Sequence, residues 1–66
     1  EIKAEAMLKD LFKYYCDNPD AMPEMYKSIA KDEGVERAVA DYIAGMTDHF
    51  AIKVYQDIFI PKSWDI

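Results

Sequence analysis

The sequence predicts an all-α protein, and three observations carry that expectation. Apolar residues recur at three- and four-residue steps through most of the chain, no segment alternates with the two-residue period of a strand, and helix stop signals fall between the periodic runs. The architecture expected is a small bundle-like arrangement of three helices with a long C-terminal one, or four if the last breaks near Gly45.

The first helix is read from Ala4, Met7, Leu8, Leu11, Phe12, Tyr14 and Tyr15, which make one apolar stripe over roughly four turns. Lys3, Glu5, Lys9, Asp10 and Lys13 form its wet side. The run Asp17-Asn18-Pro19-Asp20 stops it, because a residue before proline is driven out of the α region. The second helix is short. Pro23 suits its first position, where a missing N–H leaves nothing unpaired. Met25, Tyr26, Ile29 and Ala30 form its apolar face, and Gly34 stands where a left-handed cap is wanted.

The third segment runs from about Val35 to Phe59. Val35, Val39, Tyr42, Met46, Phe50, Val54 and Ile58 step by 4, 3, 4, 4, 4 and 4 across Gly45. Such continuity favours a single helix. The competing reading makes Thr47 a local N-cap with Asp48 in the first turn, which divides the segment in two. Pro61 ends it, and Trp64 in the tail is expected to fold back onto a helix. A long helix that two short ones do not cover carries spare apolar surface, and so implies a partner.

Bulk properties narrow the function. A chain of 66 residues makes one domain at most, residues 1–66, and its 52% apolar content is ample for a core. It begins at Glu1 rather than Met, which we read as an engineered boundary or a piece of something longer. Thirteen acidic against eight basic residues give a net charge of −5, with the basic ones scattered, so nucleic-acid binding by this segment is not expected. No apolar run approaches the ~20 residues of a membrane helix, and no membrane partner is expected. One Cys and one His cannot build a zinc cage or an internal disulfide, which fits a reducing, cytoplasmic setting.

Few residues invite chemistry. Cys16, beside Tyr14 and Tyr15, reads as a packed thiol. Arg37 and Asp41 form an i, i+4 pair worth a few tenths of a kcal/mol when exposed, roughly, though Arg37 also offers a planar fork for phosphate. Asp41 and Asp48, seven apart, would share a helix face but lie roughly 10 Å apart along it, too far for one ion. Spacing alone therefore assigns no metal site and no catalytic residue.

The run Arg37-Ala38-Val39-Ala40-Asp41-Tyr42-Ile43-Ala44-Gly45-Met46-Thr47-Asp48-His49-Phe50-Ala51 adds what spacing does not. The string DYIAGMTD, with Arg four residues earlier and an aromatic and Ala after, resembles the closing motif of bacterial dGTPase-like HD phosphohydrolases. The stretch LFKYYCDNPDAMPEMY resembles that family's helix, stop and helix restart, and QDIFIP its usual ending. The resemblance covers about residues 4–61. It implies the C-terminal, HD-associated helical domain of a deoxyguanosinetriphosphate triphosphohydrolase-like protein. Such enzymes hydrolyse a dNTP to a deoxynucleoside and triphosphate with a divalent metal held by an upstream His, a His-Asp pair and a further Asp. None of those ligands can lie here, so no cofactor belongs to this segment.

On the same resemblance, the segment packs on the HD domain of its own chain, supports a homo-oligomer and lines a nucleotide pocket. The candidate nucleotide-binding residues are Arg37, Asp41, Tyr42, Asp48 and His49, with Gly45 and Thr47 structural. His49 departs from the pattern, which carries Arg after Thr-Asp, so a phosphate contact there becomes weaker and pH-dependent. The alternative from a different class is a free-standing helical protein–protein interaction module. A helix-turn-helix DNA binder, suggested by the short second helix, fails on charge because Val35-Glu36-Arg37 begins no basic stripe.

Overall fold

A computed structural model describes residues 2–60, with side chains from Glu5 onward. The described residues form α1 (Ile2–Asp17), a single 3-10 turn (Pro19–Ala21), α2 (Glu24–Glu33), α3 (Val35–Ala44) and α4 (Asp48–Phe59). The all-α expectation holds. Trp64 and Pro61 lie outside the described residues.

Helix α1 stops where the sequence says it must. Asn18 leaves the helix at φ −133°, ψ 65°, and both its backbone N–H and its side-chain amide donate to the Tyr14 carbonyl. The 3-10 turn then drops Met22 into the core, where it is 2% exposed. Pro23 occupies the N-cap of α2 rather than the expected first helical position, its carbonyl accepting from Tyr26 and Lys27. Met25 is a second correction: it points outward at 62% exposure, and the inner face of α2 is Tyr26, Ile29 and Ala30.

Gly34 alone joins α2 to α3. Its N–H donates to Ala30 and its carbonyl accepts from Ala38, so one residue serves as C-cap and N-cap together. Its φ of 101° with ψ of 151° is not the left-handed cap expected but a conformation nearly reserved for glycine. The sharp corner folds α2 back along α3, and this is the most extensive helix pairing in the molecule.

The expected continuous helix over 35–59 is instead two helices. Gly45 caps α3, donating to the carbonyls of Asp41 and Tyr42, and Met46 donates to Ile43. Thr47 then starts α4, its Oγ1 accepting from the Phe50 N–H at 3.1 Å. The physical reason lies in the phase of the stripe. Each four-residue step overshoots a full turn by about 40°, so a run of such steps winds around a straight helix. The inner residues of α4 would point about 140° away from those of α3. Only a break lets both faces reach one core.

That core is thin. Leu11 and Tyr15 of α1, Met22, Ala38 and Val39 of α3 and Ala51 of α4 are the buried apolar residues. α4 runs parallel to α1: Ala51 and Ile52 lie near Met7 and Leu8, Tyr55 reaches Asp10, and Phe59 meets Tyr14. The molecule is a slab of 39 × 31 × 18 Å with a radius of gyration of 12.5 Å. A compact chain of this length would measure about 11 Å.

Candidate functional site

The motif residues 37–51 straddle the corner between α3 and α4, which decides what they touch. Tyr42 points into an aromatic run. Its ring packs edge-on against Tyr15, with centroids 5.2 Å apart at 84°, and lies 4.9 Å from Tyr26 at 46°. Tyr15 in turn meets Tyr14, Tyr14 meets Phe59, and Phe59 meets Tyr55. Rings from all four helices are thereby linked in preferred edge-to-face or tilted geometries. Burial, then the neighbouring Tyr42 and Tyr14, drives the Tyr15 phenol far above its ordinary pKa, so this hydroxyl is a neutral packing group.

Beside this run is an open hollow of ≈ 310 Å³, lined by Tyr26, Tyr42, Gly45, Met46, Thr47 and Phe50. Gly45 gives room there, though a methyl group at that position would meet Asp41, Tyr42 and Tyr26 only at ordinary contact distances of 3.6–3.8 Å. Thr47 lines the same hollow, but its hydroxyl oxygen is already accepting from Phe50.

The charged members of the motif lie elsewhere. Arg37 Nε donates to Asp41 at 3.4 Å, and Arg37 also pairs with Glu33 at 4.0 Å. Both carboxylates and the guanidinium are substantially exposed, so solvent screens these pairs. One unbroken helix would set Asp41 and Asp48 on a shared face. The break at Gly45–Thr47 puts them on different helices instead. Asp48, in the first turn of α4, opens on a second hollow of ≈ 500 Å³ with Met7, Leu8, Ile43, Ala44, Met46, Thr47, Ala51 and Ile52. His49 is exposed. Tyr42, Gly45 and Thr47 are therefore gathered at one hollow, while Arg37, Asp41, Asp48 and His49 are spread around the corner.

Cys16 is half-buried, and its thiol is pushed up by burial and by the nearby acids Glu36 and Asp17. A thiol held protonated makes a poor nucleophile. Among the described residues no three His, Cys, Asp or Glu side chains are placed to hold a metal ion. None of the described helices is long and apolar enough to cross a membrane. Two features escaped sequence reasoning: Met22 as a core plug, and the Tyr55 hydroxyl donating to Asp10 at 3.2 Å between α4 and α1. Five tyrosines in so short a chain were a signal for the ring run, but their partners depend on the fold.

Relatives give the segment its context. It is 50% identical over 64 residues, 97% of this chain, to a deoxyguanosinetriphosphate triphosphohydrolase-like protein of Caldanaerobacter subterraneus, of which it covers 19%. Proteins of the same description from Clostridium perfringens and Geobacter metallireducens are 47% and 43% identical over 91% of the chain, which covers 18% and 16% of them. The chain thus spans less than a fifth of the length of the curated relatives it matches. No solved structure matches it significantly. Over residues 1–57 the sequence fits the phosphohydrolase-associated domain, and the chain belongs to that family.

Proposed function

We propose that this chain is one accessory helical domain of a metal-dependent dNTP triphosphohydrolase, packing on that enzyme's catalytic HD core. The observation that carries the reading is identity along nearly the whole chain to under a fifth of a protein described as deoxyguanosinetriphosphate triphosphohydrolase-like. Exposed Leu8, Phe12, Ile52, Phe59 and Ile60 on α1 and around α4 support it, since a 66-residue slab with that much open apolar surface suits a docked element. The same relatives favour it over a free-standing interaction module, because each carries the segment within a much longer chain.

In this reading the reaction yields a deoxynucleoside and triphosphate in a cytoplasmic homo-oligomer, and the divalent metal is held by the remainder of the parent. The described residues do not fit such an ion, so no catalytic step is assigned to them. Arg37, Asp41, Tyr42, Asp48 and His49 contribute to a nucleotide pocket completed by the parent, with Gly45 and Thr47 fixing the corner that presents them. The exposure of Arg37, Asp48 and His49 supports that role, since none is locked inside the slab.

The test compares residues 1–66 with the full parent enzyme, following release of inorganic triphosphate from dGTP with a divalent metal. Turnover by the parent and none by residues 1–66 is the expected outcome. Metal-dependent turnover by residues 1–66 would overturn the accessory role, and a parent inert toward every dNTP would overturn the hydrolase reading.

A further inference from the structure

The break between α3 and α4 spans Gly45–Thr47, and α4 is held by one buried residue, Ala51, with Val54, Tyr55 and Ile58 packed partly buried against the core. Gly45 already has helical angles, φ −86° and ψ −3°. Thr47 departs from a helix mainly in ψ, at φ −74° and ψ 163°. No proline occurs between Val35 and Ile60, so nothing in the covalent chain forbids one unbroken helix. Among the buried apolar residues α4 contributes Ala51 alone. One tertiary side-chain hydrogen bond of α4 joins Tyr55 to Asp10, and its rings touch α1 through Phe59 and Tyr14.

We propose that Met46–Thr47 is a hinge on which α4 leaves α1, continues α3 as one helix and docks on α1 of a second copy of this chain. The exchange follows from the turn of the helix. In an unbroken helix over 35–59, about 38 Å long, Ala51, Val54, Tyr55 and Ile58 point about 140° away from Val35, Val39 and Tyr42. The first half then stays on its own core while the second half presents its apolar face to another body. The surface that α4 vacates on one copy, formed by Met7, Leu8, Asp10 and Tyr14, is the surface that α4 of the other copy fits. Each copy gives and receives the same contacts, so the closed interface is rebuilt twice with two-fold symmetry. Two chains of charge −5 meet through that rebuilt contact rather than by creating a new acidic face. The proposal does not depend on the hydrolase reading.

Two kinds of substitution act on the hinge in opposite directions. Gly45→Ala with Thr47→Ala removes the residue least suited to a helix interior and the N-cap of α4. The added methyl at position 45 clashes with nothing in the closed form, so a change reports the hinge itself. Asp48→Pro does the reverse. A first helical position tolerates proline, and proline holds the preceding Thr47 in the extended conformation it already has.

Sedimentation of the 66-residue chain reads the result. The double variant is expected to dimerise at least tenfold more tightly than the parent sequence, and adding Asp48→Pro returns it to monomer. Mixed copies carrying Asp10→Cys or Tyr55→Cys alone, each with Cys16→Ser, are expected to be joined between chains by a short bismaleimide in the double-variant background, because the phenol arm that spans the two positions is longer than a disulfide. A double variant that associates no more than the parent sequence overturns the proposal. So does association that survives Asp48→Pro, which would mean contact through the outer faces. Where Asp48→Pro costs the fold, seen as lost helical circular dichroism, the mixed bismaleimide cross-link decides, and its absence from the dimer overturns the exchange.

Discussion

The body made by α1, α2 and α3 and the arm made by α4 are built from comparably apolar sequence, yet they are held in different ways. The body and its 3-10 turn contain Leu11, Tyr15, Met22, Ala38 and Val39, five of the six buried apolar residues. The arm contains only Ala51, while Phe50, Ile52 and Phe59 remain 41–45% exposed. What differs is the number of neighbours. α3 is covered by α1 on one side and by α2 on another, whereas α4 leans mainly on α1. Apolar residues stabilise only where something removes them from water, so the same composition yields a core in one place and an open face in the other.

The largest test of this contrast is Leu11→Ala against Ile52→Ala. Leu11 is fully buried, and truncating such a leucine costs about 2–5 kcal/mol from lost transfer energy and the cavity left behind. Total stability for a chain of this size is only on the order of 3–10 kcal/mol, so the variant should lose most of its cooperative urea transition. Ile52 is 44% exposed, and its truncation should move the midpoint far less. Equal losses at the two positions would mean that the arm is as deeply committed to the core as the body.

Gly34→Ala comes next. A Cβ there meets nothing within 4 Å, so the whole effect is backbone strain at φ 101°. Holding an L-residue in that region costs about 1–3 kcal/mol, to be read in the same urea transition. The loss should fall on the α2–α3 corner, with faster amide exchange at Ala38, whose N–H donates to Gly34. An unchanged midpoint would show that the corner relaxes freely.

These two sites also mark how far the sequence could be read. Helix existence followed from local rules, as at Asn18-Pro19, where the stop is a property of the dipeptide itself. Leu11 and Tyr15 were legible as stripe members, but not as its centre, because burial depends on which helices arrive. The break at Thr47 was legible as a cap and was outweighed by spacing, since steps of four look continuous on paper while winding away in space. For the candidate site, the motif string carried the family through resemblance, and no spacing rule separated Tyr42, which packs inward, from Arg37 and His49, which face solvent. Met22 and the Tyr55–Asp10 contact had no local signal at all.

A pH titration then distinguishes the body from the arm. Tyr15, in the body, has its phenol raised in the folded state above the ordinary value of 10.0, chiefly by burial. A raised value means that its stabilising contribution is complete below about pH 10 and is lost as the pH climbs above it, where the unfolded chain ionises first. Tyr15→Phe should therefore flatten the alkaline fall in stability relative to the parent sequence. Tyr55 is also raised, by desolvation and by its hydrogen bond to Asp10, but it lies on the arm, where opening exposes it without unfolding the body. Tyr55→Phe should leave the global alkaline limb nearly as it was. An alkaline limb that responds to Tyr55 and ignores Tyr15 would reverse the assignment of which half governs unfolding.

The smallest stability effect is expected at Arg37, and its smallness makes it useful. Both of its ion pairs are exposed, one to Asp41 within α3 and one to Glu33 across the Gly34 corner, so Arg37→Ala should change the unfolding midpoint by no more than about 0.5 kcal/mol. Placed in the full parent enzyme, the same substitution separates two roles. If Arg37 reaches nucleotide, KM for dGTP rises or kcat falls while the melting temperature holds, because a planar fork lost from a phosphate has no structural counterpart here. If Arg37 only decorates α3, activity and melting temperature both stay within error. Loss of stability with loss of activity in proportion would point to a third arrangement, in which Arg37 leaves Glu33 and Asp41 to pair with the catalytic core. Arg37→Lys sharpens the reading, since it keeps the charge for a helix-surface pair but cannot supply two parallel donors to one phosphate.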